Sequence, residues 1–166
     1  MKSFRVTAYG AALEAQEDAT PDPTGTEVLL RTTACGVCHS DVHLWEGYFD
    51  LGGGKRLELG HGSAEVPFTP GHEVAGEVVA LGPEATGISI GEHRVAYPWI
   101  GCGACGPCRR GEENLCTRPR NLGVHVDGGF AAHVLVPHPR YLPRLPTLPH
   151  SLDCPPACSG LTAFRA

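Results

Sequence analysis

The sequence predicts a mainly β fold, a barrel or sandwich built from short strands. Glycine and proline account for 22 and 15 of the 166 residues. Such a density divides a chain into short strands and turns and works against long helices. Between these breaks lie short runs rich in β-branched and aromatic residues, which are typical of strands. Hydrophobic residues make up 42% of the chain, enough for the core of one globular domain.

Five such runs are predicted as strands: Phe4–Tyr9, Glu27–Ala34, Glu73–Leu81, His93–Pro98 and Phe130–Pro137. Helical patterns are confined to two places. Asp41–Trp45 is long enough for one or two turns, and Ala157–Ala166 follows two prolines, which suit the first turn of a helix. The glycine-rich segment Gly47–Pro67 has no periodicity, so we expect a long loop there that is functional or mobile.

The charge distribution argues against nucleic acid and membranes as partners. The formal net charge is −5, and no run of Lys or Arg exceeds two residues, so no basic surface for phosphates or anionic lipids is evident. The chain has no apolar run long enough to cross a membrane, and its first residues lack the apolar stretch of a signal peptide. We therefore expect a cytosolic protein.

Eight cysteines in a cytosolic chain are better explained by metal binding or catalysis than by disulfides, because cellular thiol buffers keep thiols reduced. The most specific pattern is Cys102-x-x-Cys105-x-x-Cys108-x7-Cys116, with glycines between the thiols. Four thiolates on one loop satisfy a tetrahedral zinc ion and leave no position for a substrate. We therefore predict a structural zinc lobe, in which metal binding contributes folding free energy.

Two other patterns overlap this lobe. Cys105-Gly106-Pro107-Cys108 matches a thioredoxin-type redox motif, whose first thiol is usually activated by the amino terminus of a helix. We favour the metal, because two further cysteines stand at ligand spacing and glycine and proline crowd the point where that helix would begin. Gly101-x-Gly103-x-x-Gly106 matches a dinucleotide fingerprint, but no βαβ unit surrounds it, so we regard this match as accidental.

A second group of potential ligands precedes the lobe. It comprises Gly36-Val37-Cys38-His39-Ser40-Asp41-x-His43 and, further along the chain, Gly71-His72-Glu73-x-x-Gly76-x5-Gly82. A thiolate, an imidazole and a carboxylate are what a zinc site with fewer than four fixed protein ligands would use. Taken alone, such a histidine or cysteine is more often part of a core than a ligand.

Together and in this order, these motifs resemble the zinc-containing alcohol dehydrogenases of the medium-chain dehydrogenase superfamily. The resemblance spans essentially the whole chain and includes the signature at Gly71–Gly82, the lobe at Cys102–Cys116 and the segment Ala157–Ala163. It implies a GroES-like, partly open barrel over residues 1–155, with the zinc lobe at 101–117. Residues 156–166 would begin a helix leading to a Rossmann domain that is absent from this chain.

The resemblance also implies two zinc ions per chain. The structural ion would be held by Cys102, Cys105, Cys108 and Cys116, and the catalytic ion by Cys38, His72 and Cys158. Glu73 is similar to a glutamate that lies near the metal in this family. Asp41 resembles the carboxylate that orients the ligand imidazole, although as a bare residue it can also be an exposed cap of the following helix. Cys35 and Cys154 are assigned to packing.

Further roles follow from the same resemblance. Ser40 would be the hydroxyl that relays a proton from the substrate, and His43 the outer end of that relay. His39 would lie near the pyrophosphate of NAD or NADP, or else is a surface residue. Trp45 and Trp99, with Tyr48, are possible walls of an apolar substrate pocket, although large aromatic residues are more often part of a core.

The implied activity is the NAD(P)-dependent interconversion of an alcohol and an aldehyde or ketone, by an enzyme that is a homo-oligomer at full length. Because no nicotinamide-binding fingerprint is present, we expect this chain alone to bind two zinc ions without oxidising alcohols. Two alternatives stay open. A non-catalytic, zinc-stabilised GroES-like binding module predicts one zinc ion, and a thiol redox protein predicts disulfide reductase activity.

Overall fold

The computed structural model describes residues 1–60, 62–144 and 154–165, and of Arg165 only the backbone. The prediction of a mainly β fold is confirmed. The strands are β1 (Lys2–Arg5), β2 (Glu14–Glu17), β3 (Val28–Gly36), β4 (Tyr48–Gly52), β5 (Lys55–Glu58), β6 (Glu73–Leu81), β7 (His93–Ala96) and β8 (His133–Val136). The helices are α1 (His39–Glu46), α2 (Gly106–Arg109) and α3 (Ser159–Arg165), and 3-10 turns lie at Glu113–Leu115, Pro139–Tyr141 and Pro155–Ala157.

The central sheet is antiparallel and has four strands in the order β7-β6-β3-β8. Two further two-stranded sheets, β1–β2 and β4–β5, accompany it. Other segments of the same chain partly cover the edges of the central sheet. Phe4 N–H donates to Phe130 C=O at 2.8 Å beside β8, and Tyr97 N–H donates to Tyr141 C=O at 2.7 Å beside β7. The result is a set of open sheets.

Alternating residues of the central sheet bury two separate cores. Val74 and Val78 of β6 belong to the main core, with Leu30, Leu122 and Val134 from other parts of the chain. Ala75 of β6 lies in a smaller core with Val95, Cys154 and Ala157. This division follows from the period of two along a strand, which sends successive side chains to opposite faces. Burial of each large aliphatic side chain contributes roughly 1.5–3 kcal/mol, so the main core dominates the stability of the domain.

Four of the predicted strands overlap β3, β6, β7 and β8, and β6 coincides with its predicted bounds. The first predicted strand ends early, at Arg5, because Val6 pairs instead with Phe68, its N–H donating to Phe68 C=O at 2.9 Å. No apolar pattern predicts β2, whose residues are Glu-Ala-Gln-Glu. Pairing with β1, not an apolar face, makes this segment a strand.

The expectation of a long loop at Gly47–Pro67 is wrong for its first part, where β4 and β5 form a hairpin with Tyr48 opposite Glu58. Three glycines at its tip adopt φ values of 78°, 60° and 77°, a left-handed conformation that glycine tolerates best. Most of the hairpin residues are exposed, so the sequence lacks the alternation that marks a half-buried strand. His61 of this segment lies outside the described residues.

The second predicted helix is displaced. The prolines form a 3-10 turn at Pro155–Ala157, and α3 begins only at Ser159. Ala166, the last residue of that prediction, lies outside the described residues. In the part of the chain that the structure describes, no helix has the length and apolar character needed to span a membrane.

Candidate metal centres

The first cluster begins where β3 meets α1. After β3 ends at Gly36, Cys38 takes an extended conformation and forms the N-cap of α1. Asp41, in the first turn, accepts a hydrogen bond from Cys38 N–H on its Oδ2 at 2.9 Å. A carboxylate near a helix amino terminus is favourable both as a hydrogen-bond acceptor and toward the helix dipole. The same contact fixes the backbone of Cys38.

Asp41 also holds the segment that carries His72. Its Oδ1 accepts from Gly71 N–H at 3.1 Å and lies 3.2 Å from His72 Nδ1. Asp41 and His72 are both buried, with 4% and 5% of their surfaces exposed. The alternative, that Asp41 is an exposed helix cap, is wrong about its exposure. Asp41 is buried, and it contacts both the first turn of α1 and the imidazole of His72. With Nδ1 facing a carboxylate, Nε2 is the nitrogen left for a metal.

Four potential ligands from three separate parts of the chain converge here. The ligand atoms of Cys38, His72, Glu73 and Cys158 all lie within 4.8 Å of one another. Cys158, which directly precedes α3, has its Sγ 4.0 Å from Cys38 Sγ. Two thiolates on a tetrahedral zinc ion with bonds of about 2.3 Å would be roughly 3.8 Å apart. The spacing of the two thiols therefore fits a shared zinc ion.

Glu73 completes the cluster on the side of α3. Its side chain is buried, and Oε1 accepts a bond from Ser159 N–H at 3.3 Å. Glycine is required opposite this carboxylate, because a Cβ on Gly36 would lie 2.2 Å from Glu73 Oε2. Gly36 is not among the predicted site residues, although it lies two positions before Cys38 in the same motif.

The electrostatics of the cluster favour the metal-binding form of one thiol. Burial alone would raise the pKa of Cys38, but hydrogen bonds from Ser40 and His72 outweigh it and lower that pKa. Burial alone would lower the pKa of His72, but hydrogen bonds with Asp41 and Cys158 raise it to about 11. The raised pKa of His72 reflects the negative charge that surrounds the ring, and the same negative charge favours a divalent cation.

The predicted relay residues lie on α1. Ser40 and His43 are three residues apart, so they are neighbours on the helix surface. The His43 ring lies 4.5 Å from the His39 ring and 5.0 Å from the Phe49 ring, between centroids. Its Nδ1 is 3.6 Å from Glu46 Oε2 and is buried without a hydrogen-bond partner among the described residues. Phe49, a neighbour that the sequence analysis missed, carries no sequence signal for this position.

His39 and the predicted pocket residues lie further out. His39 is the first residue of α1 and is exposed. The Trp45 indole N–H donates to Ala11 C=O, and its ring packs against the small core formed by Val6, Leu44, Ala64 and Phe68. Trp99 and Tyr48 are half-buried.

The second cluster is the four-cysteine lobe. The thiols of Cys102, Cys105, Cys108 and Cys116 all lie within 4.8 Å of one another, and each is a free cysteine. Cys105 Sγ is 3.3 Å from Cys108 Sγ and 3.8 Å from Cys116 Sγ. The Cys116 sulfur accepts hydrogen bonds from the N–H groups of Cys102 and Arg118, at 3.2 and 3.3 Å. Such bonds stabilise thiolates, the form in which cysteine binds zinc.

The glycine and proline residues of the lobe do not prevent a short helix there. The one-turn helix α2 starts directly after Cys105, with Pro107 in its first turn, where a missing N–H costs nothing. Backbone hydrogen bonds from Cys108 and Thr117 lower the pKa of Cys105 to about 6. Burial and the neighbouring thiols raise the pKa of Cys108 to about 12. Four thiols this close ionise together only when a cation balances their charge.

The lobe is fastened to the main core at its base. Ile100 and Leu122 on either side of it are core residues, and Arg120 N–H donates to Ile100 C=O at 2.8 Å. Glu113 forms a second connection between the lobe and the rest of the domain. Its carboxylate accepts hydrogen bonds from Gly101 N–H at 3.2 Å and from the Tyr141 hydroxyl. It also lies 3.0 Å from Arg140 Nη2. No motif in the sequence pointed to Glu113. Burial and this carboxylate raise the pKa of Tyr141 to about 12.

The two remaining cysteines pack as predicted. Cys35 lies against the main core, where a Cβ on Gly71 or Gly129 would approach its sulfur to 2.9 or 2.8 Å. Burial raises its pKa to about 12. Cys154 is buried with Ala75, Val95 and Ala157. Neither cysteine belongs to a group of potential ligands among the described residues.

Comparison with known proteins finds similarity to alcohol dehydrogenases. The family model of the alcohol dehydrogenase GroES-like domain matches residues 24–147. The chain is 42% identical to an NAD-dependent alcohol dehydrogenase of Saccharolobus solfataricus, over 100% of this chain and 47% of that protein. An enzyme of the same name from Sulfurisphaera tokodaii is also 42% identical, with the same coverage. The chain thus spans about half the length of these curated relatives.

Solved structures resemble the fold over nearly the whole chain. The crystal structure of an NAD-dependent alcohol dehydrogenase has a TM-score of 0.84 at 29% identity and covers 99% of this chain and 46% of that one. The alcohol dehydrogenase of Aeropyrum pernix has a TM-score of 0.80 at 29% identity, with the same coverage.

Proposed function

This chain belongs to the alcohol dehydrogenase GroES-like domain family, and from that premise we propose that it is the zinc-binding catalytic part of an alcohol dehydrogenase. The reaction is the interconversion of an alcohol and an aldehyde or ketone, with hydride transfer to NAD or NADP. Relatives named NAD-dependent alcohol dehydrogenases support this activity. The catalytic unit is residues 1–155, with the lobe at 101–117 inside it. The charge pattern supports a cytosolic enzyme of small molecules, and we propose that it works as a homo-oligomer.

The residues of the first cluster would hold a catalytic zinc ion. Cys38, His72 and Cys158 supply two thiolates and an imidazole, and Glu73 lies beside them within the same 4.8 Å. Three protein ligands and a position left for substrate are typical of catalytic zinc. When bound there, zinc supplies a Lewis acid that lowers the pKa of an alcohol oxygen toward neutrality. Asp41 would keep the His72 ring in the orientation and tautomer needed for binding.

Ser40 and His43 would carry the proton of the alcohol to solvent. Their spacing on one face of α1 supports this path, as does the hydrogen bond between Ser40 and Cys38, which puts the hydroxyl next to a ligand. The buried Nδ1 of His43 has no hydrogen-bond partner among the described residues. An imidazole with such a nitrogen available can accept a proton and pass it on.

The remaining roles concern the cofactor, the substrate and the lobe. His39 would contact the cofactor pyrophosphate, supported by its exposure at the amino terminus of α1. Trp99 and Trp45 would border an apolar substrate, although the packing of Trp45 in the small core supports a structural role for it as well. A second, structural zinc ion would be held by Cys102, Cys105, Cys108 and Cys116.

One observation carries the proposal. The potential ligands Cys38, His72 and Cys158 are distant in sequence but lie together, and the buried Asp41 contacts the imidazole of His72. The first test is the zinc content of the purified chain, measured by elemental analysis. We expect two zinc ions per chain, and one in Cys38→Ala. The second test joins this chain to the remaining half of the Saccharolobus solfataricus relative. We expect NAD-dependent oxidation of simple alcohols, abolished by Cys38→Ala.

The two tests separate the alternatives. A non-catalytic binding module would hold one zinc ion in the lobe, and Cys38→Ala would leave the zinc content unchanged. A thiol redox protein would reduce disulfides, and Cys108→Ser would abolish that activity. A chimera that is folded and holds both zinc ions but oxidises no alcohol would contradict the proposed reaction while leaving the metal site intact.

A further inference from the structure

One edge of the strand β5 pairs with β4, and no described residue pairs with the other edge. Along the hairpin, Leu59 N–H donates to Gly47 C=O at 2.8 Å, and hydrogen-bonded pairs alternate with non-hydrogen-bonded pairs in an antiparallel ladder. Leu57 therefore bonds to β4, whereas Arg56 and Glu58 direct their N–H and C=O groups away from it. All four residues of β5 are exposed. Among the described residues, no hydrogen bond uses the outward backbone groups of Arg56 and Glu58.

We propose that this edge pairs with β5 of a second copy of this chain, antiparallel about a two-fold axis at Leu57. In this register Arg56 lies opposite Glu58 of the second copy, and by symmetry Glu58 lies opposite the second Arg56. Because these are the residues whose N–H and C=O groups point outward, each of the two pairs forms two backbone hydrogen bonds. Leu57 meets Leu57 of the second copy on the axis.

The charges of β5 select this register. Paired residues must lie on the same face of a sheet, so a two-fold axis within the strand passes through one of its four residues. An axis at Lys55, Arg56 or Glu58 would set two like charges opposite each other, which is unfavourable. An axis at Leu57 gives two pairs of opposite charge. Arg56 is already held in place on the hairpin, because its guanidinium carbon lies 4.0 Å from the centre of the Tyr48 ring.

Apolar surface supports the same contact. Leu57 is 54% exposed and Leu51 in the neighbouring strand is 62% exposed, and pairing at the axis would bury Leu57. Edge strands usually limit association by being short or by carrying charged side chains, proline or a bulge. β5 is short and three of its four residues are charged, but it contains no proline, and the charges of Arg56 and Glu58 are complementary across the axis. The contact is short, so we expect a weak, reversible dimer at high protein concentration.

Sedimentation velocity of the zinc-loaded 166-residue chain over a wide concentration range tests this proposal. We expect a dimer that grows with concentration. Glu58→Arg sets like charges in both pairs and should raise the dissociation constant about tenfold or more. The double variant Arg56→Glu/Glu58→Arg restores opposite charges and should recover most of the affinity. Glu84→Arg makes the same charge change at an exposed site elsewhere and should leave association unchanged.

Arg56→Glu provides a second single variant, so that the test remains usable if Glu58→Arg perturbs the hairpin itself. It also sets like charges in both pairs and should weaken association to a similar extent. Zinc content and circular dichroism verify that each variant is folded. A chain that stays monomeric up to its solubility limit would overturn the proposal. So would a dimer that is insensitive to Glu58→Arg, since it would use another surface, or a charge swap that fails to restore association.

Discussion

The two groups of proposed metal ligands are built in opposite ways. The lobe draws four thiols from Cys102 to Cys116, a single short loop, whereas the other cluster joins Cys38 with Cys158 across 120 positions of sequence. The lobe is mostly exposed and contains one turn of α-helix. The long-range cluster is mostly buried, and β3, α1, β6 and α3 meet there.

This difference assigns different physical roles to the two sites. A local loop with little core of its own depends on its metal for a defined structure, because binding free energy becomes folding free energy there. The long-range cluster rests on two buried cores and on hydrogen bonds of Asp41 that form without a metal. We therefore expect loss of metal to unfold the lobe but to leave the fold around Cys38 in place.

Substitution of a lobe ligand should produce the largest effect. Cys108→Ala removes a buried ligand and should release the lobe zinc, so that the lobe opens locally. The exposed pair Arg109 and Arg110 makes this opening measurable by limited trypsin digestion. We expect cleavage there to accelerate at least about a hundredfold, which corresponds to roughly 2.7 kcal/mol of lost local stability.

Cys38→Ala is the matched control for this experiment. It removes one ligand of the other cluster and should lower the zinc content equally, while cleavage at Arg109 and Arg110 stays at the wild-type rate. If Cys38→Ala opened the lobe as strongly as Cys108→Ala does, the two sites would be one cooperative unit. The division into a metal-dependent lobe and a pre-formed cluster would then be wrong.

A moderate effect is expected behind the imidazole. Asp41→Asn keeps the size of the side chain but removes its charge and one of its two acceptor oxygens. The amide therefore cannot accept hydrogen bonds from Cys38, Gly71 and His72 together. Loss of such a contact behind a metal-binding histidine typically weakens metal binding 10- to 100-fold. We expect that loss for the long-range cluster, measured by competition with a chromophoric chelator, and no change in the zinc of the lobe.

The exposed Asp22 provides the control, since Asp22→Asn removes the same charge at a site that belongs to neither cluster. An Asp41→Asn variant with wild-type zinc affinity would show that the fold alone orients His72. Equal weakening of both sites would point to a general loss of stability and would also contradict the proposed contrast.

The same contrast explains what the sequence could reveal. The spacing of the lobe cysteines alone predicts that they act as one group, because local ligands leave a local pattern, and the fold brings their thiols together. Strands such as β6 could be identified because they pack on the main core and carry its apolar residues. The long-range cluster could not be derived from spacing, and only the resemblance to a family selected Cys38, His72 and Cys158 from other cysteines and histidines.

The features that the sequence hid depend on contacts across the chain. The hairpin β4–β5 and the strand β2 are mostly exposed, so no apolar periodicity marks them. Glu113 looks like an ordinary surface residue until the fold brings Gly101, Arg140 and Tyr141 to its carboxylate. Glycine and proline in the segment of α2 make a helix unexpected from the sequence, although proline is well tolerated in a first turn.

The smallest effect should come from the tie between the lobe and the main core. Glu113→Gln keeps the shape of the side chain but removes the charge that Arg140 and the Tyr141 hydroxyl contact. Arg140 is half-exposed, so solvent screens its part, and we expect a loss of about 1–2 kcal/mol from the hydrogen bonds. Cleavage at Arg109 and Arg110 should then rise roughly 5- to 30-fold, with both zinc ions retained.

Because Glu113 lies close to the cleavage site, each rate is divided by the rate for the same variant after zinc removal and denaturation. Glu84→Gln, at an exposed site, should leave the ratio unchanged. An unchanged ratio for Glu113→Gln would mean that the core residues Ile100 and Leu122 hold the base of the lobe without help from the carboxylate. An effect as large as that of Cys108→Ala would mean that attachment to the core, and not the metal, maintains the lobe.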